Sequence, residues 1–258
     1  SDLFWVKRHM GYRGAEGSLE ARWMPSDTFN VIYGVETIID DETKPRAQRI
    51  SKDTGEEIGS SGANESVTLT NVSAYVSSNY KPLDPWLKLT GGLRYDYHSI
   101  YGTQVTGRLG ATSRWSDSLV TKFLYGSAFK APSPYLLYAR PLRPGDVIGN
   151  ASLEPQRIDT FEVQLSYKQD ASWNASTGLA YSLLRDKAEF TPEGINLAAK
   201  NVASQKALSW ETQLNARFEQ RAQGYLSFEY VLSQRDLGEE GYAARLVGTD
   251  TAIYPPWI

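Results

Sequence analysis

Hydrophobic and polar side chains alternate along much of this chain with a period of two. In GGLRYDYHSI, residues 91–100, Leu93, Tyr95 and Tyr97 share one parity while Arg94, Asp96 and His98 share the other. The same division sets Val105, Leu109 and Trp115 against Thr106, Arg108 and Arg114. It separates Phe161, Val163, Leu165 and Tyr167 from Glu162, Gln164, Ser166 and Lys168, and Trp210, Leu214 and Phe218 from Glu211, Gln213, Asn215 and Arg217. A helix would repeat every 3.6 residues, so a period of two predicts β-strands with two chemically different faces.

About ten such segments recur, near residues 17–24, 28–39, 67–80, 86–99, 104–116, 118–130, 157–168, 174–190, 206–220 and 224–236. Their length, mostly ten residues or more, exceeds the roughly five or six residues of a soluble strand and fits a strand tilted across a bilayer. Short connections occur at MPSD (24–27), KPLDP (81–85), SDS (116–118), QDAS (169–172) and QRAQ (220–223). Longer ones fall at 40–66, 131–156 and 191–205, with 99–103 a brief exception. Short turns on one rim and long loops on the other are expected of an outer-membrane barrel, the short turns being periplasmic. Trp23, Trp86, Trp115 and Trp173 adjoin the short turns, as an interfacial girdle requires. The apolar parity is then expected to face lipid, which offers no hydrogen bonds, and the ionic parity to face a hydrated bore. Residues 1–16 fit no such template.

Composition narrows the classes further. The 12% aromatic content favours strands over a helical bundle, and the absence of cysteine excludes disulfides and thiolate metal sites. No apolar run is long enough for a helical span. A net charge of −3 gives no reason to expect a nucleic-acid partner. With only His9 and His98, and without GxSxG, HExxH, a phosphate loop or an EF-hand, the chain offers no enzyme signature, and no cofactor is expected.

Phe129-Lys130-Ala131-Pro132-Ser133 ends one alternating segment, and Asn150-Ala151-Ser152-Leu153-Glu154-Pro155-Gln156 precedes Thr160-Phe161-Glu162 in the next. These motifs closely resemble the FRAPS-like and NPNLKPE-like boxes of TonB-dependent outer-membrane receptors, with Lys in place of the first box's Arg. LTGGLRYDY (89–97) and the stretch from Asn201 through SWETQLNARF to YLSFEYVLS extend the resemblance over most of residues 67–236. It implies an all-β fold, a transmembrane antiparallel β-barrel of 22 strands of which this chain supplies about ten. It further implies a bacterial outer-membrane location, a separate N-terminal plug, and import of a scarce nutrient with energy from a periplasmic TonB complex. The plug and TonB box are not found in residues 1–258, and the sequence ends at YPPWI without a terminal strand. A fragment, a partly represented chain and one half of a split receptor are the alternatives for a partial barrel over 1–258.

Ligand binding is expected in the long loops and upper bore. Lys130, Tyr135, Tyr138, Arg140 and Arg143 form an aromatic and cationic set suited to an anionic, ring-bearing ferric siderophore. His98, near a strand end, joins them as a candidate contact. The plainer reading is that FKAPS packs structurally while the arginines bind lipopolysaccharide phosphates or nothing, and that His98 is an ordinary bore residue. Haem receptors of the family carry a His between the two boxes; residues 133–149 have none. Residues 40–66, rich in Asp, Glu, Lys, Gly and Ser, are expected to form a solvated mobile loop rather than a calcium or ligand loop. A passive pore or structural barrel of about ten strands is the alternative to a receptor, and a soluble β-sandwich or adhesin is a third possibility.

Overall fold

The computed structural model describes residues 3–62, 65–169, 172–218 and 222–236. The chain runs through β1 (Phe4–His9), β2 (Tyr12–Ser26), β3 (Phe29–Thr43), β4 (Arg46–Ser51), β5 (Glu57–Ser61), β6 (Ser66–Leu83) and β7 (Leu87–His98). It continues with β8 (Gly102–Arg114), β9 (Leu119–Lys130), the one-turn helix α1 (Pro134–Tyr138) and β10 (Val147–Ile148). Then follow β11 (Gln156–Gln169), β12 (Trp173–Glu193), β13 (Asn196–Phe218) and β14 (Ala222–Asp236). No helix among the described residues is long and apolar enough to cross a membrane.

Each of the ten alternating segments is a strand. β2, β3, β6, β7, β8, β9, β11, β12, β13 and β14 form one antiparallel meander in which each pairs with the next. The pairing register aligns the apolar parity across the whole sheet. One row reads Leu19, Val35, Ala74, Tyr95 and Val105. Another reads Leu109, Tyr125, Phe161, Tyr181, Leu208 and Leu232. A slip of one residue would have moved each side chain to the other face.

That face has no dry core behind it. Tyr95, Phe123 and Leu165 are 48%, 55% and 43% exposed, whereas the largest fully buried side chains among the described residues are Thr191, Asp96 and Ser73, all polar. An apolar face left open beside a polar face that buries carboxylate and hydroxyl groups inverts the soluble pattern, and a hydrocarbon environment makes it stable. Phe218's side chain, residues 170 and 171 of the turn at 169–172, QRAQ except its last two residues, and the YPPWI terminus lie outside the described residues.

The short-turn rim carries the expected aromatic belt. Trp23, Phe29 and Tyr80 form an edge-to-face chain with centroid separations of 6.3 and 5.9 Å. Trp115 donates its indole N–H to Thr121 Oγ1 at 2.9 Å, and Trp173 lies 5.4 Å from Tyr167. An indole with one apolar side and one polar handle is suited to the boundary between lipid and water.

Two expectations need correction at the other rim. Residues 40–66 are not simply a solvated loop: β4 and β5 pair there, and β1, from the unassigned N-terminal stretch, adds to β4 as a three-stranded sheet. These strands are short and one partner comes from about 40 residues away, so no local period signals them. Likewise 191–205 is no long loop, because β12 and β13 remain paired up to Glu193 and Asn196 and turn through Gly194 at φ +62°. Beyond the bilayer no lipid demands an apolar parity, and the alternation fades while the ladder continues.

Candidate functional site

The bore face of the wall carries a continuous polar network. Arg94 Nε donates to both oxygens of Asp96 at 3.0 and 3.1 Å, and Nη2 reaches Glu36 Oε1 at 2.8 Å and Ser73 Oγ at 2.7 Å. Ser73 and Asn71 donate to Asp96 Oδ1 at 2.6 and 3.2 Å. Asp96 is 2% exposed, so these donors replace the water that a buried carboxylate would otherwise miss. Tyr75, beside Arg94, donates to Glu20 Oε2 at 2.9 Å. The hydroxyl end of its ring lies against Gly34, where a Cβ would come within 2.6 Å of the hydroxyl; only glycine leaves that space.

Above the wall at the long-loop rim, the segment between the two signature boxes folds over the extended β12–β13 hairpin. Leu137, Leu153 and Ala199 form a small dry core with Tyr101, Leu136, Tyr138, Ala188 and Phe190 against it. Asn150 donates to the Ala199 carbonyl at 3.0 Å while its backbone N–H bonds Leu136. Asn201 Nδ2 donates to the carbonyls of Glu154 and Asp186, and its Oδ1 accepts the Glu154 N–H at 2.8 Å. Gly149 admits the close backbone approach of Ala139, whose nitrogen would stand 2.5 Å from a Cβ. Asn150 of the second box and Asn201 of β13 therefore fix the loop by side-chain-to-backbone bonds that satisfy polar groups which strands would otherwise pair.

The candidate ligand residues sit on this crown. Tyr135 and Tyr138 are on α1, and Arg140 follows the helix with its carbonyl accepting Ser61 Oγ at 2.8 Å. Lys130 stands exposed at the end of β9, opposite Gln156. Arg143 lies in the turn before Gly145, where its carbonyl accepts the Asp146 N–H. His98 stacks on Tyr101 at 4.2 Å and accepts the Ile100 N–H at Nδ1. Tyr101 in turn donates to the Pro132 carbonyl, so His98 touches the crown through one ring. Burial pushes the Tyr101 phenol up to about 12, with Tyr138 and Glu42 adding to the effect.

Two cations that the sequence did not single out lie on the tyrosines. Arg8, from β1, donates to the Tyr135 hydroxyl at 3.1 Å, sits 5.7 Å from its ring and pairs with Asp146 at 3.1 Å. Lys44 lies 5.3 Å from the Tyr138 ring and pairs with Glu65 at 2.9 Å. Burial alone would raise the Asp146 carboxyl, but the Leu142 and Val147 N–H groups and Arg8 outweigh it and hold it below the ordinary range. No sequence signal could have paired Arg8 with residues more than 120 positions away. Among the described residues no three His, Asp or Glu groups cluster as a metal set.

Residues 9–258 match the family described as TonB dependent receptor-like, beta-barrel. The vitamin B12 transporter BtuB of Vibrio cholerae serotype O1 is 35% identical over 78 residues, 30% of this chain and 12% of that protein. The siderophore receptor PirA of Pseudomonas aeruginosa superposes with a TM-score of 0.65 at 20% identity, over 88% of this chain and 41% of the other. A mutant of the ferric enterobactin receptor PfeA of Pseudomonas aeruginosa gives 0.70 at 18% identity, over 86% and 36%. The copper transporter OprC gives 0.67 at 16%, over 89% and 38%. The chain thus spans less than half of each of these proteins, and identities this low speak for the fold. The family match covers nearly the whole chain, and the apolar belt, aromatic rim and polar bore agree with it: the chain belongs to the TonB-dependent receptor β-barrel family and lies in the bacterial outer membrane.

Proposed function

We propose that this chain forms part of the wall and crown of an outer-membrane receptor, not an enzyme, that binds a scarce nutrient and imports it with energy delivered by a TonB complex. The observation that carries this reading is the crown itself. A loop bearing Tyr135, Tyr138, Arg140 and Arg143 is pinned by Asn150 and Asn201 above a bore lined with charged groups. Rigid aromatic and cationic side chains at the outer mouth suit capture of an anionic, ring-bearing ferric siderophore through charge pairing and cation–π contact. Relatives whose names specify vitamin B12, copper or siderophores cover several ligand chemistries, so the siderophore reading rests on this side-chain set. The edges β2 and β14 would be completed by further strands of a larger barrel, and a plug would supply the contact with TonB. Lipid and lipopolysaccharide surround the apolar belt.

Titration of the intact receptor with a panel of ferric siderophores tests the site. Tyr138→Ala and Arg140→Ala are each expected to weaken binding about three- to tenfold. Unchanged affinity in both variants would dismiss the crown as the ligand site. Uptake that persists after deletion of TonB would favour the passive-pore alternative.

A further inference from the structure

The turn from His98 to Gly102, between β7 and β8, joins the wall to the crown. At the wall side Ser99 exchanges two bonds with Thr70 of β6: its backbone N–H donates to the Thr70 carbonyl at 2.8 Å, and its Oγ accepts the Thr70 N–H at 3.0 Å. At the crown side Tyr101 lays its ring against the dry core, and its hydroxyl donates to the Pro132 carbonyl of the FKAPS segment at 2.9 Å. His98 bridges the two anchors. Its ring stacks on Tyr101 with 22° between the planes, and its Nδ1 accepts the Ile100 N–H at 3.1 Å. Accepting at Nδ1 requires the neutral imidazole with its proton on Nε2.

We infer that His98 is an acid-sensitive catch, which holds the FKAPS segment to the wall while its ring is neutral and releases it when the ring gains a proton. The imidazolium carries hydrogen on both nitrogens. Its Nδ1–H then faces the Ile100 N–H, donor against donor, and the ring stays on Tyr101 only at the cost of an unbonded amide. The surroundings of the ring act in opposite directions. Burial in the crown disfavours the charged form, Asp40 on β3 favours it, and burial wins, so the His98 value lies below the ordinary 6.5. Tyr138 of α1 and Glu42 of β3 act on Tyr101, and the Glu42 carboxyl is itself raised by burial and then by Asp40. On the flanking strands the residues opposite His98 are uncharged, Asn71 on β6 and Gly102 on β8. A lowered value fixes the sign: the neutral ring's contribution is complete above 6.5 and is lost as pH falls from there through the lowered value. Mild acid therefore loosens the loop that carries Tyr135 and Tyr138. Its effect on capture rests on the reading of the crown as the ligand site, whereas the catch itself does not.

The test uses the full chain in lipid vesicles without ligand, with amide hydrogen exchange taken relative to the intrinsic rate at each pH. The Leu137 and Asn150 amides, which bond the Ser133 and Leu136 carbonyls, are expected to lose protection about three- to tenfold between about pH 7.5 and about pH 5, while the amides of β9 keep theirs. His98→Asn keeps an acceptor for the Ile100 N–H in an Asx turn and gains no charge, so its loop stays protected across that range. Tyr101→Phe cuts the bond to Pro132 and lowers protection at both ends of the range. In His9→Asn, which leaves His98 as the single histidine, proton NMR of the imidazole is expected to give a midpoint below 6.5 that coincides with the loss of protection. Protection that does not change with pH in the wild type, the same loss in His98→Asn, full protection in Tyr101→Phe, or an imidazole midpoint at or above 6.5 would overturn the catch. Affinity for ferric siderophores, measured apart at neutral pH, reports on the ligand site and enters none of these outcomes.

Discussion

The wall and the crown of this molecule are held together in different ways. In the wall, ten strands are joined by backbone ladders, and the apolar side chains contribute by facing hydrocarbon rather than one another. The crown sits in water, where it has a small dry core at Leu137, Leu153 and Ala199 and is tied by single asparagines to backbone carbonyls. A wall of this kind tolerates changes wherever the ladder and the sign of the face are kept. The crown depends on particular residues, because each of its ties has no neighbour to replace it.

Substitutions that strand a charge should separate the two regions most strongly. Arg94→Met leaves Asp96 buried without its cation and is expected to cost about 3–5 kcal/mol of wall stability, read by urea unfolding in lipid vesicles. Loss of the crown's protease resistance with the wall unchanged would reverse that expectation. Next, Tyr95→Arg places a charge on the lipid face at a cost of about 2–4 kcal/mol, while Ser176→Arg on the bore face of β12, opposite Ser166 and Gln213, is expected to be nearly neutral. Equal penalties would mean that the two faces share one environment.

The crown gives smaller effects. Asn201→Ala removes three hydrogen bonds and is expected to cost about 1–3 kcal/mol locally, appearing as proteolysis within 131–155 while the wall stays folded. Smallest is the tie between β1 and the signature loop, where Arg8→Ala costs about 1 kcal/mol or less because the pair is partly exposed. Its pH dependence has a definite sign. The Asp146 carboxyl is held below its ordinary value of 3.8, so its stabilisation is complete above that value and is lost as pH falls below it. Protection of the Leu142 and Val147 amides against hydrogen exchange, taken relative to the intrinsic rate at each pH, should therefore fall in acid in the wild type, and much less in Asp146→Asn.

The same contrast explains what the sequence made legible. Alternation sustained over ten or more residues in each long strand identified the wall and its faces, because lipid imposes one chemistry on every second position. Trp23, Trp115 and Trp173 marked the short-turn rim for the same reason. The crown's β1, β4 and β5 went unseen, as did the paired tip of β12 and β13, because nothing periodic constrains them and their partners are distant. Tyr135, Tyr138, Arg140 and Arg143 were proposed as ligand contacts through the boxes beside them. Arg8, Lys44 and Asp146 were not, since contacts over such separations leave no local pattern.

The central assignment, apolar parity to lipid and ionic parity to the bore, has a direct test because the chain contains no cysteine. Single cysteines at each position from 119 to 129 can carry a spin label in bilayers, with collision rates measured against oxygen and against a water-soluble nickel chelate. Labels at 119, 121, 123 and 125 should collide with oxygen, and those at 120, 122, 124 and 126 with nickel, alternating at every step. Uniform accessibility along the strand, or low collision rates with both reagents at 123 and 125, would contradict it.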